Sequence, residues 1–110
     1  MVEMNPKTIF FILILVAVII EAIADILFKK WAIQTKNLFL ILGLILYFIG
    51  TIFWAISLKY EFLSKSISIF TILNLIIIVL IGLIYFDESL STINKIGIAL
   101  GIISVILIEI

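Results

Sequence analysis

Four long apolar runs, parted only by short charged breaks, leave this chain very few ways to fold. They cover residues 8–28, 38–58, 66–86 and 93–110. Each of the first three is about 21 residues long, or ~31 Å at 1.5 Å per helical residue. That length matches a bilayer hydrocarbon core of about 30 Å. Membrane-spanning helices follow, because an open sheet would leave backbone groups unpaired in lipid. The breaks at 29–37, 59–65 and 87–92 are too short to hold a folded extramembrane domain. Asn5 and Pro6 are helix-start residues ahead of the first run. Residues 1–110 are therefore expected to form a single all-α, integral membrane domain of four transmembrane helices.

Composition confirms lipid as the solvent. The chain has 110 residues, 66% hydrophobic and 13% charged. A soluble domain is roughly half apolar and a quarter charged. A chain this short buries only about 60–65% of its surface, too little to hide so much Ile and Leu. There is no Cys and no His, which argues against a disulfide scaffold, a zinc module and hydrolase or redox chemistry, so no metal, no cofactor and no enzyme activity are expected. Seven basic residues, all Lys, are offset by seven acids, and with no basic patch nucleic-acid binding is not expected. The segment Ala22-Ile23-Ala24 has the form of a signal-peptidase site, but Glu21 interrupts the apolar run before it.

The lysines are almost evenly divided between the two sides of the membrane. Lys7, Lys59 and Lys65 fall on one side, and Lys29, Lys30, Lys36 and Lys95 on the other. Lys/Arg asymmetry normally sets orientation. A flat balance leaves two readings: one orientation chosen by weak cues, or insertion both ways with antiparallel pairing. Four helices are also few to enclose a substrate path, which favours an oligomer.

Several residues are out of place in lipid. Glu21 lies deep in the first run, where a carboxylate costs roughly 3 kcal/mol on insertion scales. No Lys lies deep in another run to pair with it. Intramembrane acids mark functional sites by default; the plainer alternative is an interhelical hydrogen bond used for packing. Asp25 follows one turn later on the same face, and Lys29 one turn after that. Asp25 either shares a cavity with Glu21 or pairs with Lys29, which snorkels to the interface.

In the second run Gly43, Tyr47, Gly50, Trp54 and Ser57 fall on one helical face, with Thr51 beside them. Small residues there permit close helix approach. Tyr47 and Trp54 are either walls of a cation-binding cavity, by their ring quadrupoles, or packing and interface residues. In the third run Phe70 and Asn74 share a face, and Asn74 needs an amide partner in a neighbouring helix. Gly97, Gly101 and Ser104 make a small-residue stripe in the fourth run, read as a helix-association surface for a dimer.

With these pieces in place, the chain resembles the small multidrug resistance transporters, four-helix members of the drug/metabolite transporter superfamily. The matching residues are Glu21-Ala-Ile-Ala-Asp-Ile-Leu-Phe-Lys29, Tyr47, Tyr60, the Phe86-Asp87-Glu88-Ser89-Leu90 turn and Gly97. The resemblance implies an antiparallel, dual-topology homodimer that exchanges protons for small organic cations through the paired Glu21 carboxylates. It also implies a multi-pass protein of the cell's inner (plasma) membrane. The departures lie mainly in the third run, where the family's Ala-Tyr pair and Trp read Ser66-Ile67 and Phe70. Its glycine-rich kink reads Ile72-Leu73-Asn74, and Asp25 replaces a small or hydroxyl residue.

The leading expectation is thus a proton-coupled exporter with Glu21, Asp25, Tyr47, Trp54, Phe70 and Asn74 around the site. Its partners are organic cations, protons, membrane lipid and a second copy of the chain, or a related chain in a heterodimer. The alternatives are a flippase subunit for lipid-linked sugars, to which Leu73-Asn74 is closer, and a non-transporting assembly subunit.

Overall fold

The computed structural model describes residues 5–110, except for the side chain of Glu109. It contains four helices: α1 (Pro6–Gln34), α2 (Asn37–Ser57), α3 (Leu63–Ile84) and α4 (Thr92–Glu109). No strand occurs among the described residues. Three helices, α1 to α3, are long and apolar enough to cross a membrane. The chain is an all-α membrane-spanning protein, as its four apolar runs require. The apolar part of α4, Thr92–Ile108, is shorter than the other three.

Local chemistry sets where the helices start. Asn5 caps α1, its side chain accepting a hydrogen bond from the Thr8 backbone N–H at 2.8 Å. Pro6 occupies the first turn, where a missing N–H costs nothing. Ser91 caps α4 in the same way, accepting from Asn94 N–H at 3.1 Å. Both caps satisfy donors that the first helical turn leaves without partners.

Helix α1 runs six residues beyond the expected boundary at residue 28. The segment Lys29-Lys30-Trp31-Ala32-Ile33-Gln34 holds no Gly or Pro, and Lys, Ala and Gln are good helix formers. Charge there ends the burial in lipid but not the helix. At 29 residues, α1 is ~44 Å long, so its last turns leave the hydrocarbon. Two contacts mark that exit: Trp31 Nε1 donates to Asn37 Oδ1 at 3.5 Å, and Lys30 Nζ stands 6.0 Å from the Phe39 ring centroid.

The helix stops at Thr35, which adopts a left-handed conformation with φ 57° and returns its N–H to Trp31 O at 2.6 Å. With Thr35 and Lys36 alone between them, α1 and α2 fold back as an antiparallel pair. At the far end of α3 the chain unwinds through Tyr85 N–H and Phe86 N–H, both directed at Ile81 O. Asp87 then turns left-handed at φ 52°, a region that Asp tolerates better than most residues. Glu88 N–H closes the turn on Gly82 O at 2.9 Å.

The chain divides into two compact units, one ending at Leu63 and the other running from Ser64 to Ile110. In the first, α1 presents Phe10, Ile14, Ala17, Val18, Glu21, Ala22 and Ala24 as its buried face. The buried positions of α2 are Gly43, Gly50 and Ser57, one every seven residues. Small residues at that period form a straight seam on which another helix can lie close. The fit leaves no spare room: a β-carbon at Gly43 would stand 2.6 Å from Phe28 Cε1. The large side chains of α2 point outward instead, Phe48 being 69% exposed and Leu44 56%. In water such a surface is a liability; in a bilayer it is the ordinary lipid-facing side.

Replacing Gly43 with Ala is expected to force the Phe28 ring aside and destabilise the α1–α2 pair by about 1–3 kcal/mol, the usual cost of overpacking. Thermal unfolding in detergent measures it; an unchanged midpoint would contradict the close seam.

Candidate functional site

Glu21 sits on the most buried face of α1, only 4% exposed, among Ala17, Val18, Ala22 and Ala24. The helical period forces this, since residues three and four apart share a face. Its Oε2 atom is buried and has no hydrogen-bond partner among the described residues. Its stem lies over Gly50 of α2, where an added β-carbon would come within 2.7 Å of Glu21 Cγ. An acid is thus pressed against the partner helix by packing, with one carboxyl oxygen unsatisfied.

Asp25 lies one turn further along α1 and is half-buried. It is close enough to Glu21 for the two carboxyl groups to interact electrostatically. The Tyr47 hydroxyl on α2 is within electrostatic reach of both. Tyr47 is 38% exposed, and its ring lies 5.9 Å from the Phe28 ring, tilted by 37°. Glu21, Asp25, Phe28 and Tyr47 therefore form one acidic and aromatic cluster on the first compact unit. Among the described residues no group of three or more acids gathers as a metal site would require.

Phe28 was not legible as part of this cluster from sequence chemistry, since a Phe in an apolar run carries no signal of its own. Its spacing was the available clue: it lies seven residues after Glu21, hence on the same face. Trp54 is half-buried on α2, and its backbone carbonyl accepts from Ser57 Oγ at 2.6 Å. Thr51 Oγ1 donates in the same manner to Tyr47 O at 2.8 Å. These two hydroxyl groups are satisfied within their own helix, so the polar group that α2 directs toward the acids is the Tyr47 hydroxyl.

The remaining predicted residues belong to the second compact unit. Phe70 and Asn74 are half-buried on α3. Asn74 Oδ1 is buried without a hydrogen-bond partner among the described residues, as is Ser66 Oγ. The amide partner that a deep Asn calls for is therefore not supplied within the described chain. On α4, a β-carbon at Gly97 would meet nothing within 4 Å, and one at Gly101 would make ordinary contact with Leu75 and Ile72 of α3. Ser104 is exposed, and its Oγ donates back to Leu100 O at 2.9 Å. The stripe is thus open at Gly97 and Ser104 and lightly covered at Gly101.

No protein-family model matches the chain, and no solved structure matches it.

Asp25→Asn is expected to move the pH midpoint of ligand binding at the cluster by at least half a unit, because two acids one turn apart titrate as a pair. A titration of binding in wild type and variant measures it. An unmoved midpoint would assign Asp25 to Lys29 instead, an interfacial pair with little influence on Glu21.

Proposed function

We propose that this chain is a proton-coupled antiporter of small organic cations, similar to the small multidrug resistance transporters and working as an antiparallel dimer in the cell's plasma membrane. The observation that carries the reading is Glu21: an acid on a membrane-spanning helix, 4% exposed, with Oε2 lacking a hydrogen-bond partner among the described residues. A glutamic acid kept for packing would be held by a hydrogen bond, since an unsatisfied polar group in lipid costs several kcal/mol. An acid kept for exchange has to leave that position open to its ligand.

The mechanism needs little machinery. A proton and an organic cation compete for the same carboxylate, so binding of one releases the other. Export follows if the site opens to one side at a time, with each ligand shifting the balance by its differential affinity. Tyr47 and Phe28 supply aromatic surface beside the acid, which suits a cation carrying apolar groups. Asp25 adds a second negative charge at the mouth of the cluster. Phe70, Trp54 and Asn74 are proposed to complete the site across the dimer, and Gly97, Gly101 and Ser104 to form its seam. The near-equal division of lysines supports insertion in both orientations.

Glu21→Gln is expected to abolish substrate-driven proton flux in proteoliposomes while leaving insertion intact, since Gln keeps the shape and loses the ionisable group. Normal flux from the variant would remove Glu21 from the mechanism.

A cysteine placed at either terminus is expected to label from both faces of the membrane with an impermeant thiol reagent. Labelling from one face would reject dual topology and leave a parallel arrangement as the form to examine.

A further inference from the structure

Gly43 and Gly50 are alike in sequence and in packing. They lie seven residues apart on the same seam of α2, and neither has room for a β-carbon. What they touch differs. Gly43 faces the Phe28 ring, whose Cε1 would lie 2.6 Å from an added β-carbon. Gly50 faces Glu21, with Cγ at 2.7 Å, the carboxyl carbon at 3.4 Å and Ala17 O at 3.4 Å from where its β-carbon would stand. Ordinary carbon contacts are about 3.5–4.0 Å, so any side chain at residue 50 displaces the Glu21 stem by the better part of an ångström.

We propose that Gly50 is a positioning residue for Glu21: by lacking a side chain it lets the glutamate stem rest on the α2 backbone, and that contact, in place of a hydrogen bond, fixes where the carboxyl group sits. The proposal rests on the transport reading only in taking Glu21 as the working acid. Glu21 is nine-tenths buried and its Oε2 has no hydrogen-bond partner among the described residues, so none of these orients it there. The surrounding groups of α1 are Ala17, Val18, Ala22 and the Asp25 carboxyl; those of α2 are Gly50 and the Tyr47 hydroxyl. Packing against Gly50 is a close constraint on the stem from the opposite helix. Displacing the stem changes both the burial of the carboxyl group and its separation from Asp25 and Tyr47, and so its proton equilibrium.

The test compares Gly50→Ala with Gly43→Ala, two substitutions that insert the same methyl group into the same seam. The readout is modification of Glu21 by a hydrophobic carbodiimide, which adds to a protonated carboxyl group, followed across pH by mass spectrometry of the Glu21 peptide. This requires no transport. Gly50→Ala is expected to move the midpoint of the labelling profile by at least half a pH unit, and by more than Gly43→Ala, which reaches Glu21 only indirectly, through the Phe28–Tyr47 contact. Coincident profiles for all three, or equal shifts for both variants, would overturn the positioning role. If Gly50→Ala does not fold, the double variant Gly50→Ala/Glu21→Ala decides, because removing Cγ removes the collision. Recovery of folded protein supports the contact, and failure to recover overturns it. Wild type that labels with the expected profile but releases no proton on cation binding would end the transport reading and leave the positioning role standing.

Discussion

The close approach of α1 and α2 is the constraint on which the first half of this protein depends. It is possible because Gly43, Gly50 and Ser57 recur at seven-residue intervals and present almost no side chain to the facing helix. In lipid there is no hydrophobic drive to bring helices together, so association rests on van der Waals contact and on what polar groups gain from each other. A seam of small residues maximises the first. It also creates the only kind of surface on which an acid stem can lie flat, its methylene carbons against backbone.

That arrangement explains how an expensive residue is tolerated without being neutralised by a fixed partner. Glu21 Oε2 has no hydrogen bond among the described residues, yet the side chain is held by what surrounds it. Position and protonation are thereby separable: packing holds the carboxyl stem, and under the proposed exchange the ligand would decide its charge. A salt bridge to a lysine would have fixed both at once. The neighbouring Tyr47–Phe28 contact adds aromatic surface beside the acids.

The second compact unit poses a different balance. Ser66 Oγ and Asn74 Oδ1, buried without a hydrogen-bond partner among the described residues, and the open face at Gly97 are features a lipid environment penalises or leaves unused. In the dimer proposed above, a second copy would supply the amide partner and cover the glycines. The turn at Asp87 and Glu88 has its own logic: a left-handed residue followed by a hydrogen bond to Gly82 O folds the chain back as α3 ends.

The four helices and their apolar character were determined by the sequence alone, because the length of each apolar run and the spacing of the charges are set against a bilayer of fixed thickness. Glu21 was legible for the same reason: a deep carboxylate stands out wherever lipid is the solvent. Helix ends were less so. The run to Gln34 was hidden because Lys29 and Lys30 mark the edge of the hydrocarbon, whereas helix propensity carries on through them until Thr35 turns left-handed. The roles of Gly50 and Phe28 were decided only by tertiary structure. A glycine in an apolar run looks the same whether it meets a phenylalanine ring or a glutamate stem. The difference between Gly43 and Gly50 arises from the register of two antiparallel helices, a property of the pair and of neither segment by itself.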